Sequence, residues 1–300
     1  MVNLFAFGFY PTSSGASASL LRRIAWKLKG IKQRVAHHHN FGDYLSYSLV
    51  SRLSAGRVSL AEQREQGKLL AIGSILWALQ DHDVIWGSGA HRADQIPYRQ
   101  GVSCHAARGP LTLQELKKAG VVVPECQPLF FDPAVLVPLL YPHLSGLPRV
   151  EGRTLVIPHY SDIPRVNDMG RSLGIPLNIA NPFTHPLAIA EMIARSDRVI
   201  SSSLHGLILA DALGTPAVPM RLEGNREPLF KYEDYCEGSG RRLPQFSKDL
   251  RCALDAQPLG FAYSRELLVR FLASFPYPLN DRFTGLPATN GSLDSVASAP

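Results

Sequence analysis

The amino-acid sequence predicts an α/β protein with two parallel sheets facing a cleft, and two observations carry this prediction. Short β-rich runs alternate with helical runs through most of the chain, which is typical of parallel sheets covered by helices on both faces. Gly-Ser turns follow some of the β-rich runs, as at Gly87-Ser88-Gly89 after VIW. Because ligands bind at the carboxyl ends of parallel strands, we expect the functional residues at such turns.

The first of two predicted Rossmann-like domains covers residues 1–148. The stretch NFGD reads as a loop that closes on a helix, with Asp43 placed to cap it and Leu45, Leu49 and Leu53 at helical spacing. KLLAIGSIL and HDVIWGSGA are predicted strands followed by turns, and GPLTLQELKKAG is a predicted helix with proline at its start and glycine at its end.

The second predicted domain covers residues 149–275 and begins within the Pro/Gly-rich stretch PHLSGLPRVEGR, which we interpret as a linker. The predicted strands here are TLVIPHYSD, IPLNIANP, DRVISSS and TPAVPMRL, and the predicted helices are HPLAIAEMIARS and LHGLILADALG. A last helix is predicted over residues 260–275. Residues 276–300 are predicted to form a disordered tail, from the small, polar composition of the C-terminus.

Composition bounds the class of protein. Of the 300 residues, 45% are hydrophobic and 19% are charged, which suffices for two packed cores. The sequence has no run of about 18 uninterrupted apolar residues and no secretory signal pattern at its start, so we expect a cytoplasmic protein. The four cysteines are far apart and form no CxxC pair, which predicts neither a disulfide framework nor a zinc site.

The positive charge is concentrated near the N-terminus. The chain carries a formal net charge of +6, and residues 20–34 contain six lysines and arginines without an acid. Leu21, Ile24, Leu28 and Ile31 recur there at helical spacing, which predicts a basic amphipathic helix. Such a helix either lies on an anionic membrane surface or packs on its own domain. No aromatic platform accompanies the charge, so we predict no nucleic-acid partner.

Hydroxyl and imidazole groups follow several predicted strands. Ser88 follows VIW, His159 follows VIP, and Ser202, Ser203 and His205 follow RVI. Hydroxyls, backbone N–H groups at a helix N-terminus and an imidazole together suit a phosphate or a carboxylate. Ser203 alone is equally explained as a helix N-cap. SSSLHG is not a GxSxG nucleophile elbow, which argues against a serine hydrolase.

Two further stretches are candidate binding sites. Asn40, Gly42 and Asp43 lie where a predicted helix N-terminus offers free N–H groups to an anion. Arg108 immediately precedes a Gly-Pro helix start, where its guanidinium either holds a carboxylate or phosphate of a ligand or pairs with a nearby acid.

Several common sites are not predicted. The contiguous run His37-His38-His39 points its side chains alternately along an extended chain, so no metal site is predicted there. The sequence contains no GxxxxGK[ST] and no GxGxxG, which argues against a nucleotide-hydrolysing or dehydrogenase site.

Seven blocks of the sequence together resemble the polysaccharide pyruvyl transferase family. They occur in its order and spacing over residues 38–240: NFGDYL, LLAIGSIL, VIWGSGA, ARGPLT, FDPAVLVP, VIPHYSD and VISSSLHGLILADALGTPAV. The combination of the SLHG, WGSG and RGP blocks is more specific than any one of them. The likeness is greatest to the ketal pyruvate transferases of xanthan-type exopolysaccharide synthesis.

The resemblance implies a reaction and its partners. Family members transfer a carboxyethylidene group from phosphoenolpyruvate, as donor substrate and without a further cofactor, to two hydroxyls of one sugar. The acceptor is a lipid-linked oligosaccharide at the inner face of the cytoplasmic membrane, and the fold is similar to the glycosyltransferase B architecture. The histidine of the LHG motif falls on His205 and the arginine of the RGP motif on Arg108, which implies catalytic roles for both. The hydroxyls of Ser202 and Ser203 are expected to bind phosphate.

The chain departs from the family pattern at two positions. Some members carry arginine where this chain has Ser203, and the usual Gly-Asp-Pro appears as Phe131-Asp132-Pro133. Two other functions therefore stay open from the sequence. One is a nucleotide-sugar glycosyltransferase on the same architecture, and the other is a polysaccharide-assembly protein that binds the donor without turnover.

Overall fold

The computed structural model describes residues 1–7, 40–123 and 129–287. Its first sheet has the strand order β2-β1-β3-β4-β5-β6, and every neighbouring pair is parallel. The strands are β1 (Val2–Phe5), β2 (Val58–Leu60), β3 (Leu69–Leu70), β4 (Val84–Trp86), β5 (Ser103–Ala107) and β6 (Leu129–Phe130).

The second sheet has the order β10-β9-β7-β8 and is also parallel throughout. Its strands are β7 (Val150–Ile157), β8 (Asn178–Ile179), β9 (Ser196–Ser201) and β10 (Ala217–Pro219). The predicted α/β class with parallel sheets is therefore confirmed. The glycosyltransferase B-like arrangement of two Rossmann-like domains, with a boundary at residues 148 and 149, stays a prediction.

The described helices surround both sheets, and none of them is long and apolar enough to cross a membrane. They are α1 (Phe41–Leu53), α2 (Pro110–Lys118), α3 (Val137–Leu140), α4 (Ile163–Leu173), α5 (Pro186–Ala194), α6 (Leu204–Ala212), α7 (Phe230–Gly238), α8 (Leu250–Asp255) and α9 (Arg265–Ala273). The predicted basic helix over residues 20–34 and the histidines at 37–39 lie outside the described residues.

Most strands of the two sheets are short, but several of their side chains are fully buried. Leu4, Leu70 and Ile85 in the first sheet and Val156 in the second are fully buried, as parallel strands covered on both faces require. The largest cluster of buried side chains runs without interruption from the first sheet to the second. Apolar burial contributes about 25 cal/mol per Å², so this shared core is the main force that holds the two halves together.

Helices from the two halves also contact each other directly. The backbone N–H of Phe41, at the start of α1, donates to the carbonyl oxygen of Pro182 at 2.8 Å. The Tyr44 ring meets the His185 ring edge to face at 4.8 Å. The N-terminus of α1 is thereby fixed against the second half, close to the carboxyl ends of the strands there.

The C-terminal part of the chain returns to the first sheet. The ring of Trp86 on β4 stacks on Phe271 of α9 at 4.9 Å, and its indole N–H donates to the Ser274 hydroxyl at 2.9 Å. A stacked aromatic pair and a satisfied indole N–H together fix where α9 packs.

The predicted disordered tail is wrong for residues 276–287. Phe283 is only 7% exposed, and the Arg52 guanidinium lies 5.7 Å from the centre of its ring. The backbone N–H of Asn280 donates to the carbonyl oxygen of Leu53 at 2.6 Å. Tyr277 and Leu279 pack on the same core as Phe283, so this segment has apolar residues enough to order it. Residues 288–300 lie outside the described part of the chain.

Two local features also differ from the expectations. The cap of α1 is Asn40, whose side-chain oxygen accepts from the Gly42 N–H, so the predicted cap at Asp43 is wrong and Asp43 lies in the first turn. Helix α4 was not predicted, because Pro164 and Gly170 interrupt its apolar pattern. Proline is well tolerated in the first helical turn, where its missing N–H costs nothing.

The packing of Phe283 leads to a stability prediction. We expect Phe283→Ala to lower the free energy of unfolding by about 3 kcal/mol, because a buried phenylalanine loses its transfer free energy and leaves a cavity. Urea unfolding followed by circular dichroism measures the change. Tyr98→Ala, at a residue that is 65% exposed, is the control and should change it by less than about 0.5 kcal/mol. Equal effects of the two substitutions would contradict the packing of residues 276–287.

Candidate active site

The serines at the end of β9 build the turn that starts α6. The Ser201 hydroxyl donates to the Ile157 carbonyl oxygen at 2.8 Å and accepts from the Ser203 N–H at 3.0 Å. The Ser202 hydroxyl donates to Asp162 Oδ2 at 2.7 Å and accepts from the His159 N–H at 2.9 Å. These two hydroxyls are engaged within the protein, so the predicted contact of Ser202 with phosphate stays a prediction.

Ser203 differs from its two neighbours. It occupies the N-cap position of α6 with extended backbone angles, but its side chain makes no capping hydrogen bond. It is also almost fully buried, with 5% exposed. Helix α6 therefore presents N–H groups that the Ser203 side chain does not cap, next to a hydroxyl, and such a helix end attracts anions.

His205, in the first turn of α6, faces α1 of the other half. A Cβ atom at Gly42 would lie 2.2 Å from His205 Nδ1, so only glycine allows the imidazole to approach the α1 backbone this closely. The predicted residues Gly42 and His205 are thus brought together, and Asn40 acts by capping the same helix end. The adjacent glycine, Gly206, serves packing instead, because a Cβ there would lie 2.3 Å from the Ser201 hydroxyl.

An acidic residue pairs with His205 from the other side. Asp132 Oδ2 lies 3.5 Å from His205 Nε2. Both atoms are buried, and within the described residues neither has a hydrogen-bond partner. The other carboxylate oxygen of Asp132 accepts from the Ala134 N–H at 2.9 Å, which fixes the group. A carboxylate this close to a ring nitrogen helps to orient the imidazole.

Asp43 is the most perturbed carboxyl group of the site. Burial raises its pKa from 3.8 to about 7, against the opposing effect of the positive charges of His205 and Lys231. A group whose pKa lies near neutral pH exchanges protons most effectively, and such pKa values are concentrated at functional sites. The predicted residue Asp43 therefore lies in the site with a property that the sequence did not reveal.

A buried lysine from α7 lies in the same place. Lys231 is 7% exposed, and its ammonium group donates to the carboxylate of Glu227. Burial lowers the pKa of Lys231, while the charge of Glu227 raises it. The other oxygen of Glu227 lies 3.9 Å from His159 Nε2. Burial removes water from the Lys231 ammonium group. A ligand anion that binds here would take the place of part of that water and interact with the ammonium group alongside Glu227.

Two histidines belong to the same cluster: His159 is buried and His91 is partly buried. Burial lowers the pKa of His159 and of His91, and Glu227 raises both. The Lys231 charge lowers both as well. These imidazoles are therefore biased toward their neutral forms, in which they both donate and accept hydrogen bonds. His91 immediately follows the GSGA turn at the carboxyl end of β4.

Arg108 is placed at the junction of the two halves. Its guanidinium is only 1% exposed and donates to Asp234 Oδ2 at 2.9 Å, the Ser74 hydroxyl at 2.6 Å and the Ala90 carbonyl oxygen at 2.6 Å. Of the two roles that the sequence left open for Arg108, pairing with a nearby acid is the one seen here, and the ion pair with Asp234 is buried. All three guanidinium nitrogens bond to the protein, so a direct contact with a ligand stays a prediction.

The WGSG block, residues 86–89, packs against Arg108. The Ser88 hydroxyl donates to the Gly73 carbonyl oxygen at 2.9 Å and is fully buried, so its predicted contact with a ligand also stays a prediction. A Cβ at Gly89 would lie 2.2 Å from the Arg108 guanidinium carbon. Gly87 has a φ of 88°, and a Cβ there would meet Pro133 at 2.4 Å. These two glycines allow Arg108 and Pro133 to approach the turn.

Five residues of this site were not singled out from the sequence as functional. They are His91, Asp132, Glu227, Lys231 and Asp234. Glu227 and Lys231 are four residues apart, a spacing that favours pairing of opposite charges. This spacing is the sequence pattern from which the two residues could have been identified. Asp132 and His205 come from distant parts of the chain, and no local pattern relates them.

The raised pKa of Asp43 predicts a pH-dependent stability. The unfolded chain releases this proton near the ordinary pKa of 3.8, whereas the folded protein releases it only at about 7. The free energy of unfolding should therefore fall as pH rises from about 4 to about 7, by about 1.4 kcal/mol per pH unit from this group. Asp43→Asn should lack this contribution.

Urea unfolding across this pH range, compared between the wild type and Asp43→Asn, measures the contribution. Asp168→Asn is the matched control, because the Asp168 side chain is 66% exposed. A constant difference between the wild type and Asp43→Asn at every pH would contradict the raised pKa.

The buried pair of Arg108 and Asp234 predicts a large stability effect. Arg108→Met should lower the free energy of unfolding by about 3–5 kcal/mol, because it leaves a buried carboxylate without its cation. The control is Arg171→Met, which removes an exposed ion pair with Asp168 and should cost less than about 1 kcal/mol. Thermal unfolding of both variants makes the comparison, and equal losses would show that Arg108 faces solvent instead.

Comparison with known proteins agrees with the resemblance seen in the sequence. Residues 129–223 match the family model described as polysaccharide pyruvyl transferase. The chain is also 28% identical over 223 residues to the succinoglycan biosynthesis protein ExoV of Rhizobium meliloti (strain 1021), a match that covers 70% of this chain and 66% of that protein. The chain thus spans just under two thirds of the length of this relative. No solved structure matches the chain significantly. Residues 129–223, which supply Asp132, His159 and His205 to the site, are thus similar to the polysaccharide pyruvyl transferase family.

Proposed function

We propose that this protein transfers a pyruvyl group from phosphoenolpyruvate to two hydroxyls of a sugar, forming a cyclic ketal during exopolysaccharide biosynthesis. One observation carries the proposal: the segment that matches the family model supplies Asp132, His159 and His205, and these lie with Asp43 and Lys231 where the two halves of the protein meet. The name of the relative, a succinoglycan biosynthesis protein, supports the polysaccharide context.

The cluster around Lys231 suits the donor, which brings a phosphate and a carboxylate. Lys231 offers a positive charge, His159 and His91 offer hydrogen bonds, and the N-terminus of α6 offers backbone N–H groups beside Ser203. The carboxylate of Glu227 already neutralises Lys231 in part. A donor anion therefore competes with Glu227 for the ammonium group, which keeps its binding reversible.

Proton transfer is the second requirement of this reaction. The methylene carbon of the donor takes up a proton, which leaves an oxocarbenium-like centre at the neighbouring carbon. A sugar hydroxyl adds to that centre and loses its own proton, and the C–O bond to phosphate then breaks. The second hydroxyl closes the ring and loses its proton, so one proton remains on carbon and one is released with the phosphate. Every step needs a nearby acid or base.

His205 and Asp43 are the groups that move these protons in our proposal. Asp132 lies against His205 Nε2 and acts as a positioning residue. Asp43, with a pKa of about 7, exists in both protonation states near neutral pH and serves as acid in one step and base in another. Arg108 acts through the position of α7, since its guanidinium bonds to Asp234.

The finer parts of the proposal follow the resemblance. The acceptor is a lipid-linked oligosaccharide of the xanthan-like type, no further cofactor takes part, and the protein works at the inner face of the cytoplasmic membrane. The basic residues at 20–34 would bind that anionic surface.

A transfer assay tests the proposal. Purified protein is incubated with phosphoenolpyruvate and lipid-linked oligosaccharides that carry terminal mannose, glucose or galactose, and the products are analysed by mass spectrometry and phosphate release. We expect the mass increment of a carboxyethylidene group. His205→Gln should lower kcat by about 10²- to 10⁴-fold with little change in the KM for phosphoenolpyruvate, because it removes proton transfer and not binding. Asp132→Asn should lower kcat less.

The control for this assay is His143→Gln, since His143 is exposed and lies outside the cluster. Wild-type turnover in His205→Gln would contradict the proton-transfer role. Consumption of a nucleotide sugar without any pyruvyl transfer would identify a glycosyltransferase, and tight binding of phosphoenolpyruvate without product would identify a binding protein.

A further inference from the structure

Tyr160 is an exposed aromatic residue at the entrance of the site. It directly follows His159, in a short helical turn after β7, and is 51% exposed where His159 is 8% exposed. The centres of the two rings are 4.2 Å apart, with 40° between their planes. The Tyr160 ring is thus supported by the histidine on one side, while about half of its surface is left to solvent.

A carboxylate lies beside the same pair of rings, since Glu227 Oε1 is 3.9 Å from His159 Nε2. Burial raises the pKa of the Tyr160 phenol, and the negative charges of Glu227 and Asp43 raise it further. Asp43 lies on α1 beside the first sheet, and Glu227 lies between β10 and α7. The ring therefore lies where the two halves face each other, within electrostatic reach of a proposed proton-transfer group.

We propose that Tyr160 is the platform on which the acceptor pyranose stacks, with a sugar hydroxyl donating a hydrogen bond to Glu227. This inference rests on the proposed function and names the acceptor subsite of the same active site. A pyranose has an apolar face of C–H groups and a rim of hydroxyls, so it needs an aromatic surface together with hydrogen-bond acceptors at the edge.

The charges around the ring also select the ligand. Hydrogen bonds from hydroxyls to ionised carboxylates are stronger than those between neutral groups. One Glu227 oxygen accepts from Lys231, and the other lies on the His159 side, 3.9 Å from His159 Nε2, where a hydroxyl of a stacked sugar would reach it. The surroundings of Tyr160 therefore suit a pyranose.

Saturation-transfer NMR with the full chain tests the platform without relying on turnover. The probes are methyl glycosides of glucose, galactose and mannose, and the variants are Tyr160→Ala, Tyr160→Phe and Tyr98→Ala. Tyr98 is the matched control, an exposed tyrosine whose ring lies against Gly120 at the end of α2. We expect the wild type to bind at least one glycoside. Tyr160→Ala should bind it about 3- to 10-fold more weakly, while Tyr160→Phe and Tyr98→Ala bind it as the wild type does.

Kinetics separate this inference from the proposed function. In the transfer assay Tyr160→Ala should raise the KM for the acceptor and leave the KM for phosphoenolpyruvate unchanged, which a general disturbance of His159 would not do. Transfer by the wild type with an unchanged acceptor KM in Tyr160→Ala would overturn the platform alone. Sugar binding that depends on Tyr160 without any pyruvyl transfer would retain the platform and overturn the proposed reaction. Failure of the wild type to bind any of the three glycosides would overturn the platform.

Discussion

The hydrogen bonds of the buried Asp234 carboxylate are the constraint on which the site depends. This residue of α7 accepts from the Arg108 guanidinium at 2.9 Å and from the N–H and hydroxyl of Thr112 at 2.8 and 2.6 Å. It thereby ties α7, which follows the second sheet, to the start of α2, which follows β5 of the first sheet. A Cβ at Gly109 would lie 1.8 Å from the Asp234 carbonyl oxygen, so glycine is required for this contact. With α7 fixed, Tyr232 donates to the Ser202 carbonyl oxygen at 2.8 Å, and Lys231 is held in the cluster.

Joining the two halves has an electrostatic consequence. Polar groups at the junction lose water that they would keep if either half stood alone. This burial is the largest cause of the pKa shifts of Asp43, His159 and Lys231. This desolvation opposes folding, and it moves the pKa of Asp43 and of Lys231 toward neutral pH while it favours the neutral form of His159. This explains why the polar residues gather at the junction, whereas the large core cluster is apolar.

The sequence could predict β3, β4 and the strands of the second sheet, most helices and the turns that carry Ser203 and His205, because alternation, glycine turns and the LHG block are local patterns. It did not predict β1, β2, β5 and β6 of the first sheet. It could not predict the contacts that give these residues their properties. The pairing of Asp132 with His205 and the approach of Asp43 depend on how two sheets pack, and no periodicity records that. Helix α7 gave no clear apolar pattern, so Lys231 was missed with it. The tail was misjudged because Tyr277, Leu279 and Phe283 pack on the core, although the end of the chain beyond them is polar.

A crystal structure of His205→Gln with phosphoenolpyruvate bound would test the central claim most directly, because turnover is slowed and the donor can be located. Our account predicts the donor's anionic groups within hydrogen-bond distance of Lys231 and of the α6 N-terminus, with its methylene carbon facing residue 205. The contradicting result is a donor bound elsewhere, for example in the cavity on the other face of α6 that Tyr235 and Arg241 line.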